Sequence, residues 1–230
     1  MNLFFLPADS VSGNTGELPE DEARHALQVL RFKEGDEIWC TDGKGTAYKG
    51  IVSSTGKKKL QIAISETVTE SVPNASVTVA LGYIRQKQRL EFAIEKLVEL
   101  GVEHIAIFHG DHSEPGKVKS ERAQSIIKAA SKQSMRFRFP AFSSYKSLDE
   151  LLTHLKPKNL VAAHEKVNES KEGVGYDQKR AITGVVGPEG GLSDREIEVI
   201  SERGGELVSL GKRRLRAETA AIVLAAQLIC

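Results

Sequence analysis

Short apolar runs alternate with segments of helical periodicity from residue 77 to the C-terminus, and this alternation constrains the fold most. The apolar runs predict strands at residues 77–81, 104–108, 160–163, 182–186 and 207–210. The intervening segments predict helices at residues 89–100, 119–134, 193–203 and 218–229. Two of the strand runs are almost continuously apolar, which is typical of strands buried on both faces of a sheet. The pattern therefore predicts an α/β fold with a mostly parallel sheet and helices on both faces.

The first 70 residues have a different character. One short helical pattern precedes three predicted strands, at residues 20–30 for the helix and 37–40, 46–53 and 60–68 for the strands. Asp42-Gly43-Lys44-Gly45 is a hairpin signal between the first two strands. Short strands in so small a span predict a small β-barrel or sandwich. Residues 66–76, which include Pro73-Asn74, predict a linker, so the chain divides near residue 70.

Composition excludes several classes of protein. The chain has 230 residues, of which 40% are hydrophobic and 27% charged, as expected for a globular protein of two ordinary domains. Its two cysteines cannot form a disulfide framework, which predicts a reducing, cytoplasmic setting. No apolar run approaches the roughly 20 residues of a membrane span, and the N-terminus does not resemble a signal peptide. The net charge of +1 means that nucleic-acid binding requires local basic patches.

Two glycine-containing loops near the C-terminus are the strongest candidates for a ligand site. Gly187-Pro188-Glu189-Gly190-Gly191 and the segment 210–220 each lie between a predicted strand and a predicted helix. Ligands bind at such carboxyl ends of strands in open α/β sheets, and glycines let the backbone approach a ligand closely. Neither loop contains the Gly-Lys-Ser/Thr of a phosphate loop, and no G-x-G-x-x-G follows the first strand. The loops therefore predict a site that is not a conventional nucleotide site.

These residues resemble the signature of the RsmE-type ribosomal RNA methyltransferases of the SPOUT superfamily. The resemblance is carried by the motifs Gly187 to Ser193, Leu210-Gly211 and Leu215-Arg216-Ala217-Glu218-Thr219-Ala220. It extends to Val29-Leu30-Arg31 at the end of the early helix, to the hairpin at residues 42–48, and to residues 95–102 and 132–136. Two positions depart from the family pattern: Arg214 replaces an aliphatic residue, and Met135 stands where glycine is common.

The resemblance implies a PUA-like RNA-binding β-barrel domain over residues 1–70 and a SPOUT methyltransferase domain, tied in a trefoil knot, over residues 71–230. It implies S-adenosylmethionine as cofactor, a homodimer, and methylation of N3 of a uridine in 16S rRNA of the small ribosomal subunit. The cofactor would be held by the loops after the third, fourth and fifth strands of the second domain. The residues expected there are His164, Glu165, Gly187, Pro188, Glu189, Gly190, Gly191, Leu210, Gly211, Leu215 and Thr219.

The chemistry of uridine N3 narrows the catalytic candidates. N3 carries a proton, so the reaction needs a base, or a cation that stabilises the imide anion. Arg216 is the candidate cation, and Arg136 joins it because it lies in a family motif. Glu189 and Glu218 are both candidate bases, although Glu218 is better explained as a carboxylate at the start of a helix, where the dipole favours it.

RNA binding would depend first on electrostatics. The basic and amide side chains expected to contact RNA are Arg31, Arg85, Lys87, Arg89, Lys119, Arg122, Gln133, Arg136 and Arg138. His109-Gly110-Asp111-His112 could suggest a metal, but no third ligand is evident and a plain loop is favoured. Cys40 beside Trp39 is interpreted as a buried apolar residue and not as a nucleophile.

Two other functions stay open on the sequence. One is a non-catalytic RNA-binding or ribosome-assembly protein, which the intact loop motifs disfavour; the other is an oxidoreductase, which would bind a nicotinamide cofactor. The final helix, residues 218–229, has Gln227 as its only polar residue after Thr219. A helix without a polar face needs cover on both sides, which predicts a homodimer with active sites built from both chains.

Overall fold

The computed structural model describes residues 2–71, 76–165 and 181–229, which divide into two compact units. The first comprises residues 2–71 together with Lys128–Phe139, and the second contains the remaining described residues. The sequence did not predict that a segment from the middle of the chain would pack with the first unit. In the part of the chain described, no helix is long and apolar enough to cross a membrane.

The first unit contains a six-stranded mixed sheet. Its strands are β1 (Leu3–Phe5), β2 (Val11–Ser12), β3 (Thr15–Glu17), β4 (Glu37–Thr41), β5 (Thr46–Thr55) and β6 (Leu60–Thr69). The strand order is β1-β4-β5-β6-β3-β2, with β1 and β4 parallel and every other pair antiparallel. The three predicted strands are confirmed. The predicted linker begins too early, because β6 continues to Thr69; residues 72–75, including Pro73-Asn74, lie outside the described residues.

The predicted early helix is confirmed as α1 (Glu20–Arg24), which continues as a turn of π-helix over His25–Val29. Ala23 and Ala26 lie on this helical segment, are fully buried and pack in one hydrophobic core with side chains of the sheet. Cys40 on β4 is also fully buried, and burial raises the pKa of its thiol far above the usual range. The interpretation of Cys40 as an inert core residue is therefore confirmed.

The segment Lys128–Phe139 is hydrogen-bonded to the β4–β5 hairpin. The Phe137 carbonyl accepts hydrogen bonds from Thr41 Oγ1 at 2.8 Å and from the Gly45 amide at 3.0 Å. The Phe137 ring stacks on Trp39, with 6.2 Å between ring centroids. Gly43 has a φ of 71°, and a Cβ there would come within 2.8 Å of Phe139. The hairpin glycine is therefore required both by backbone conformation and by close packing.

The second unit contains a six-stranded parallel sheet flanked by helices, as predicted. Its elements are β7 (Val77–Gly82), α2 (Lys87–Leu100), β8 (His104–Phe108), α3 (Ser120–Gln133), β9 (Ala141–Tyr145), α4 (Leu148–Leu155), β10 (Leu160–Ala163), β11 (Ile182–Val186), α5 (Asp194–Glu202), β12 (Glu206–Val208) and α6 (Ala217–Ile229). The last residues of α3, from Lys128, belong to the first unit. The strand order is β12-β10-β11-β7-β8-β9. The sequence did not predict β9 and α4, because β9 is a polar, largely half-buried edge strand and α4 has only eight residues.

Two local features set the helices on this sheet. Ser193 and Glu196 form the predicted capping box at the start of α5, with reciprocal hydrogen bonds of 2.9 and 3.1 Å. Helix α6 packs on β7 and β11 and also against α2. A Cβ on Gly184 would lie within 2.9 Å of Leu224 and Leu228, so the glycine in β11 lets α6 approach the sheet closely.

Candidate active site

Three loops that were predicted to bind a ligand follow neighbouring strands. β11, β10 and β12 are adjacent and parallel, so their carboxyl ends lie at one edge of the sheet. β10 leads into His164-Glu165, β11 into Gly187–Gly191 and β12 into residues 209–216. The His164 amide donates to the Val208 carbonyl at 2.9 Å, and Arg214 Nε lies 3.7 Å from Glu165 Oε2. The structure therefore brings together the segments that contain every predicted cofactor residue except Thr219, which lies in the first turn of α6.

Three glycines around the Gly187–Gly191 loop are required by the packing of the chain itself. A Cβ on Gly82, at the end of β7, would overlap Pro188. A Cβ on Gly187 would come within 2.7 Å of the Leu192 nitrogen, and one on Gly190 would come within 2.7 Å of His112 Cβ. The expectation that Gly190 leaves room for a ligand is thus corrected, because His112 already occupies that side of the backbone.

Two other loop glycines face open space. Gly191 has a φ of 79° and Gly211 a φ of 111°, and nothing lies within 4 Å of the Cβ position of either residue. Both glycines are exposed at the carboxyl edge of the sheet. An L-residue with a side chain is strained in this conformation and would occupy this space. Gly191 and Gly211 therefore fit a site where a ligand approaches the backbone.

The loop after β8 is fastened to the start of α5 by charge. Asp111 accepts from Arg195 Nε at 2.9 Å, from Arg195 Nη2 at 2.8 Å and from Ser193 Oγ at 2.5 Å. The hydrogen bonds from Arg195 and then from Ser193 lower the pKa of Asp111 to about 2. The sequence His109-Gly110-Asp111-His112 thus contributes an ion-paired anchor. Across the described ranges, no cluster of three or more His, Cys, Asp or Glu side chains could hold a metal ion.

Arg89, which was expected to contact RNA, is instead engaged by two carboxylates. Its Nε and Nη2 donate to the two oxygens of Glu218 at 2.8 and 2.6 Å, and its Nη1 donates to Glu189 at 2.8 Å. Arg122 is engaged similarly, with a bidentate pair to Glu91 at 3.0 and 2.6 Å. All three guanidinium nitrogens of Arg89 are therefore used within the protein, and its assignment to RNA is corrected.

The contact with Arg89 weakens Glu218 as a base. The hydrogen bond from Arg89, with a smaller contribution from the charge of Arg216, lowers the pKa of Glu218. Glu189 accepts from Arg89 and, at 3.4 Å, from the Arg85 amide. Arg216 itself is exposed at the start of α6, where its carbonyl accepts from the Ala220 amide at 2.8 Å. Arg216 therefore presents an exposed cation two residues from Glu218 in the candidate site.

The other predicted RNA contacts lie in two separate sets. Arg85, Lys87, Lys119 and Arg122 are exposed in the second unit, where the last three line one groove with Lys117. Arg85 also pairs with Glu114 at 3.3 Å. Arg31, Gln133, Arg136 and Arg138 belong to the first unit, where Arg31 and Gln133 are exposed and the other two half-buried. Arg138 Nη2 donates to the Glu70 carbonyl at 3.4 Å.

Sequence reasoning missed two structural partners of the site. Tyr83 follows β7 and stacks on His109, with 4.7 Å between ring centroids. Arg195, on the first turn of α5, joins Asp111 to Asp149, to which it donates at 2.8 Å. In the sequence, only the stretch from His109 to His112 could have indicated these contacts. It puts an imidazole ring, His109, and a carboxylate, Asp111, directly after a predicted strand.

Comparison with known proteins places this architecture in a family. The RNA methyltransferase domain family matches residues 71–229, and the RNA methyltransferase PUA domain family matches residues 18–65. The chain is 30% identical to ribosomal RNA small subunit methyltransferase E of Bacillus subtilis, over 90% of this chain and 86% of that protein. It is 32% identical to the protein of that name in Mesomycoplasma hyopneumoniae, over 86% of this chain and 87% of that protein.

A solved relative has the same fold along nearly its whole length. The ribosomal RNA small subunit methyltransferase E of Neisseria gonorrhoeae, bound to S-adenosyl methionine, superposes with a TM-score of 0.84 and 30% identity. The match covers 98% of this chain and 95% of that one. Fold, loop motifs and sequence identity agree along the length of the chain, which therefore belongs to the RNA methyltransferase family that includes ribosomal RNA small subunit methyltransferase E.

Proposed function

We propose that this protein transfers a methyl group from S-adenosylmethionine to N3 of a uridine in 16S rRNA of the small ribosomal subunit. The observation that carries the proposal is the convergence of three adjacent loops at one edge of the parallel sheet, with Gly191 and Gly211 open to a ligand. A relative of known structure with this fold, the Neisseria gonorrhoeae protein, is bound to S-adenosyl methionine. The family supports RNA as the methyl acceptor.

The cofactor supplies an activated methyl group on a sulfonium sulfur, so the protein has to supply position and electrostatics. Residues of all three loops would hold it: His164 and Glu165 after β10, Gly187–Gly191 after β11, and Leu210, Gly211, Leu215 and Thr219 around the Arg216 segment. The backbone of Gly191 and Gly211 would meet the ligand directly, because no side chain stands between. Gly187, Pro188 and Gly190 would act by holding the loop in shape.

The chain's part in the chemistry is to promote loss of the N3 proton. Arg216 would donate hydrogen bonds to a uracil carbonyl oxygen and stabilise the charge that develops on the imide. Glu189 and Glu218 are each hydrogen-bonded by Arg89, and the lowered pKa of Glu218 makes that carboxylate a weaker base. The N3 proton would pass to Glu189 or to solvent water. We therefore assign the main catalytic contribution to Arg216, with Arg136 as a second cation that approaches the substrate.

RNA contacts in the proposal use basic and amide side chains of each unit, which are exposed except for the half-buried Arg136 and Arg138. Arg85, Lys87 and Lys119 would contact phosphates from the second unit, and Arg31, Gln133, Arg136 and Arg138 from the first. The match of residues 18–65 to a PUA domain of RNA methyltransferases supports this role for residues 1–70. We infer the PUA-like barrel, the SPOUT trefoil knot over residues 71–230 and a cytoplasmic location from the same family membership.

We also propose that the working enzyme is a homodimer formed through α6. Ala221, Leu224 and Leu228 are buried on one side of this helix. The other side presents Val223 and Ala226, which are half-buried and apolar. A second copy of the same helix across a two-fold axis would cover this side and place Arg216 near the interface.

A methylation assay tests the proposed function. Small subunits from a strain that lacks this protein should gain one methylated uridine when they are incubated with the protein and S-adenosylmethionine, as mapped by modified-nucleoside analysis. Calorimetry should show binding of S-adenosylmethionine and none of a nicotinamide cofactor. Tight binding to small subunits without cofactor binding or methyl transfer would instead identify a ribosome-assembly protein.

A further inference from the structure

Arg89 has two carboxylate partners that differ in burial and in the number of contacts. Glu218 is buried, with a side chain only 9% exposed, and takes a bidentate pair from Nε and Nη2. Glu189 is 31% exposed and takes a single hydrogen bond from Nη1. Bidentate pairs are the stronger and the more geometrically specific, so Glu218 fixes the plane of the guanidinium. The remaining donor then has a fixed direction, and it points at Glu189.

These contacts connect three segments of the proposed site. Arg89 lies in the first turn of α2, Glu218 in the first turn of α6, and Glu189 at the tip of the Gly187–Gly191 loop. Glu189 is two residues from Gly191, and Glu218 is two residues from Arg216. The second oxygen of Glu189 accepts from the Arg85 amide at 3.4 Å, which ties the loop tip to the segment between β7 and α2.

We propose that Arg89 is a positioning residue that holds the tip of the Gly187–Gly191 loop in a fixed relation to the segment containing Arg216, so that the cofactor site is formed before the ligand arrives. The inference rests on the proposed function. The two carboxylates have different roles. Glu218 orients the guanidinium group of Arg89, and Glu189 accepts the remaining hydrogen bond from Nη1. Preforming a loop raises affinity because the cost of ordering it is not taken from the binding free energy.

The lysine side chain cannot reproduce this arrangement. Lysine keeps the positive charge of arginine but lacks its rigid guanidinium fork. Only that fork can make a bidentate pair with one carboxylate and direct a third nitrogen at another. The substitution Arg89→Lys should therefore keep one carboxylate contact and release the other. Glu189→Gln removes the charge at the loop tip and leaves the pair between Arg89 and Glu218 intact.

Hydrogen exchange on the cofactor-free protein tests the structural half of the proposal. Amides at residues 187–192 should exchange about tenfold faster in Glu189→Gln and Arg89→Lys than in the wild-type protein. The matched control is Glu91→Gln, which removes the same charge from another arginine-paired carboxylate on α2 and should leave these amides unchanged. Unchanged exchange at residues 187–192 in both site variants would overturn the proposal, whether or not the protein binds S-adenosylmethionine.

Calorimetry with S-adenosylmethionine tests the functional half, on variants whose thermal unfolding shows that they are folded. Glu189→Gln and Arg89→Lys should each weaken binding about tenfold, and the double variant should also be about tenfold weaker, because both changes weaken the same charge-assisted link. Glu91→Gln should stay within about twofold of the wild type. Site variants within twofold of the wild type, or a double variant about a hundredfold weaker, would show that Arg89 does not act through Glu189. Failure of the wild-type protein to bind would instead contradict the proposed function.

Discussion

Lys132 Nζ donates to both carboxylate oxygens of Glu22 at 2.9 Å, although the two residues lie 110 positions apart in the chain. Glu22 is only 3% exposed, and Lys128 Nζ lies 2.9 Å from the same carboxylate. The amide of Phe5 also donates to it at 3.3 Å. One buried carboxylate on α1 thus binds two lysines of α3 and a strand of the first unit. This cluster fastens the segment that contains Arg136.

The substitution Glu22→Gln should lower the free energy of unfolding by about 2 kcal/mol, because it removes the charge partner of Lys132 and leaves Lys128 only the more distant carboxylate of Asp21, at 3.5 Å. The value is below that for a fully buried pair, since both lysines retain contact with solvent. Urea unfolding measures it. Glu20→Gln on the same helix removes an exposed, ion-paired carboxylate and should leave the unfolding midpoint unchanged. Equal midpoints for the two variants would argue that the buried cluster contributes no stability.

Met135 adopts a backbone conformation that favours glycine, with a φ of 58°. It ends α3 in a glycine-type cap, in which the Arg136 amide donates to the Ser131 carbonyl at 2.9 Å. We expect Met135→Gly to be more stable than Met135→Ala by about 1 kcal/mol, since both lose the same side chain and only glycine relieves the backbone strain. Thermal unfolding of the two variants provides the comparison. Greater stability of the alanine variant would contradict the assignment of strain.

The regular elements were predictable because their signals are local. Strands such as 182–186 are continuous apolar runs, and the capping box at Ser193 and Glu196 lies within four residues. The strands β1 to β3, by contrast, have only two or three residues each and show no period that a sequence reading could detect. Their pairing is decided by the longer strands beside them.

The contacts of the site were less predictable because they join distant positions. The loops after β10, β11 and β12 could be identified from glycine content and order along the chain. The partners of Arg89 lie 100 and 129 positions away, and a basic residue after a strand is as consistent with RNA binding as with an ion pair. Likewise, no local signal shows that Gly190 is a glycine because of His112.

Asp111 should make stability depend on pH in the acid range. Its pKa is about 2 in the folded protein against a usual 3.8, so the folded state favours the ionised form. The contribution is fully present above about pH 4 and is lost as pH falls towards 2. It should be below about 1 kcal/mol, since more than a third of the side chain is exposed.

Urea unfolding between pH 4 and pH 2 measures this effect. The variant Asp111→Asn should show a shallower loss of stability than the wild type over that interval. Arg195→Gln, which removes the main cause of the lowered pKa, should flatten the profile in the same way. A profile for either variant as steep as that of the wild type would show that this pair does not contribute to acid sensitivity.

Gly191 offers a sharper test of the cofactor site than Gly190, whose substitution would disturb His112. Asparagine tolerates positive φ better than other residues with side chains, so Gly191→Asn should fold with little loss of stability. Its side chain would enter the open space, and we expect S-adenosylmethionine to bind at least about tenfold more weakly. Gly204→Asn is the matched control, because Gly204 has a φ of 73° and also faces open space at the end of α5. Equal affinity in both folded variants would remove Gly191 from the site.

The outer side of α6 should determine the oligomeric state. Val223 is apolar and half-buried on this side, while Gly184 lets the opposite side of the helix pack closely on the sheet. A carboxylate in the centre of the proposed interface would have to lose its hydration when two copies associate, so Val223→Glu should produce a monomer at micromolar concentration. Light scattering during size-exclusion chromatography measures the mass.

Ile51→Glu places the same charge on a strand of the first unit, where the isoleucine is 49% exposed, and should leave the dimer intact. A wild-type protein that is monomeric under these conditions and methylates small subunits at full rate would contradict the dimer. If the dimer is required because the start of α6 places Arg216 beside the partner subunit, the monomeric variant should lose methyl transfer and keep its fold.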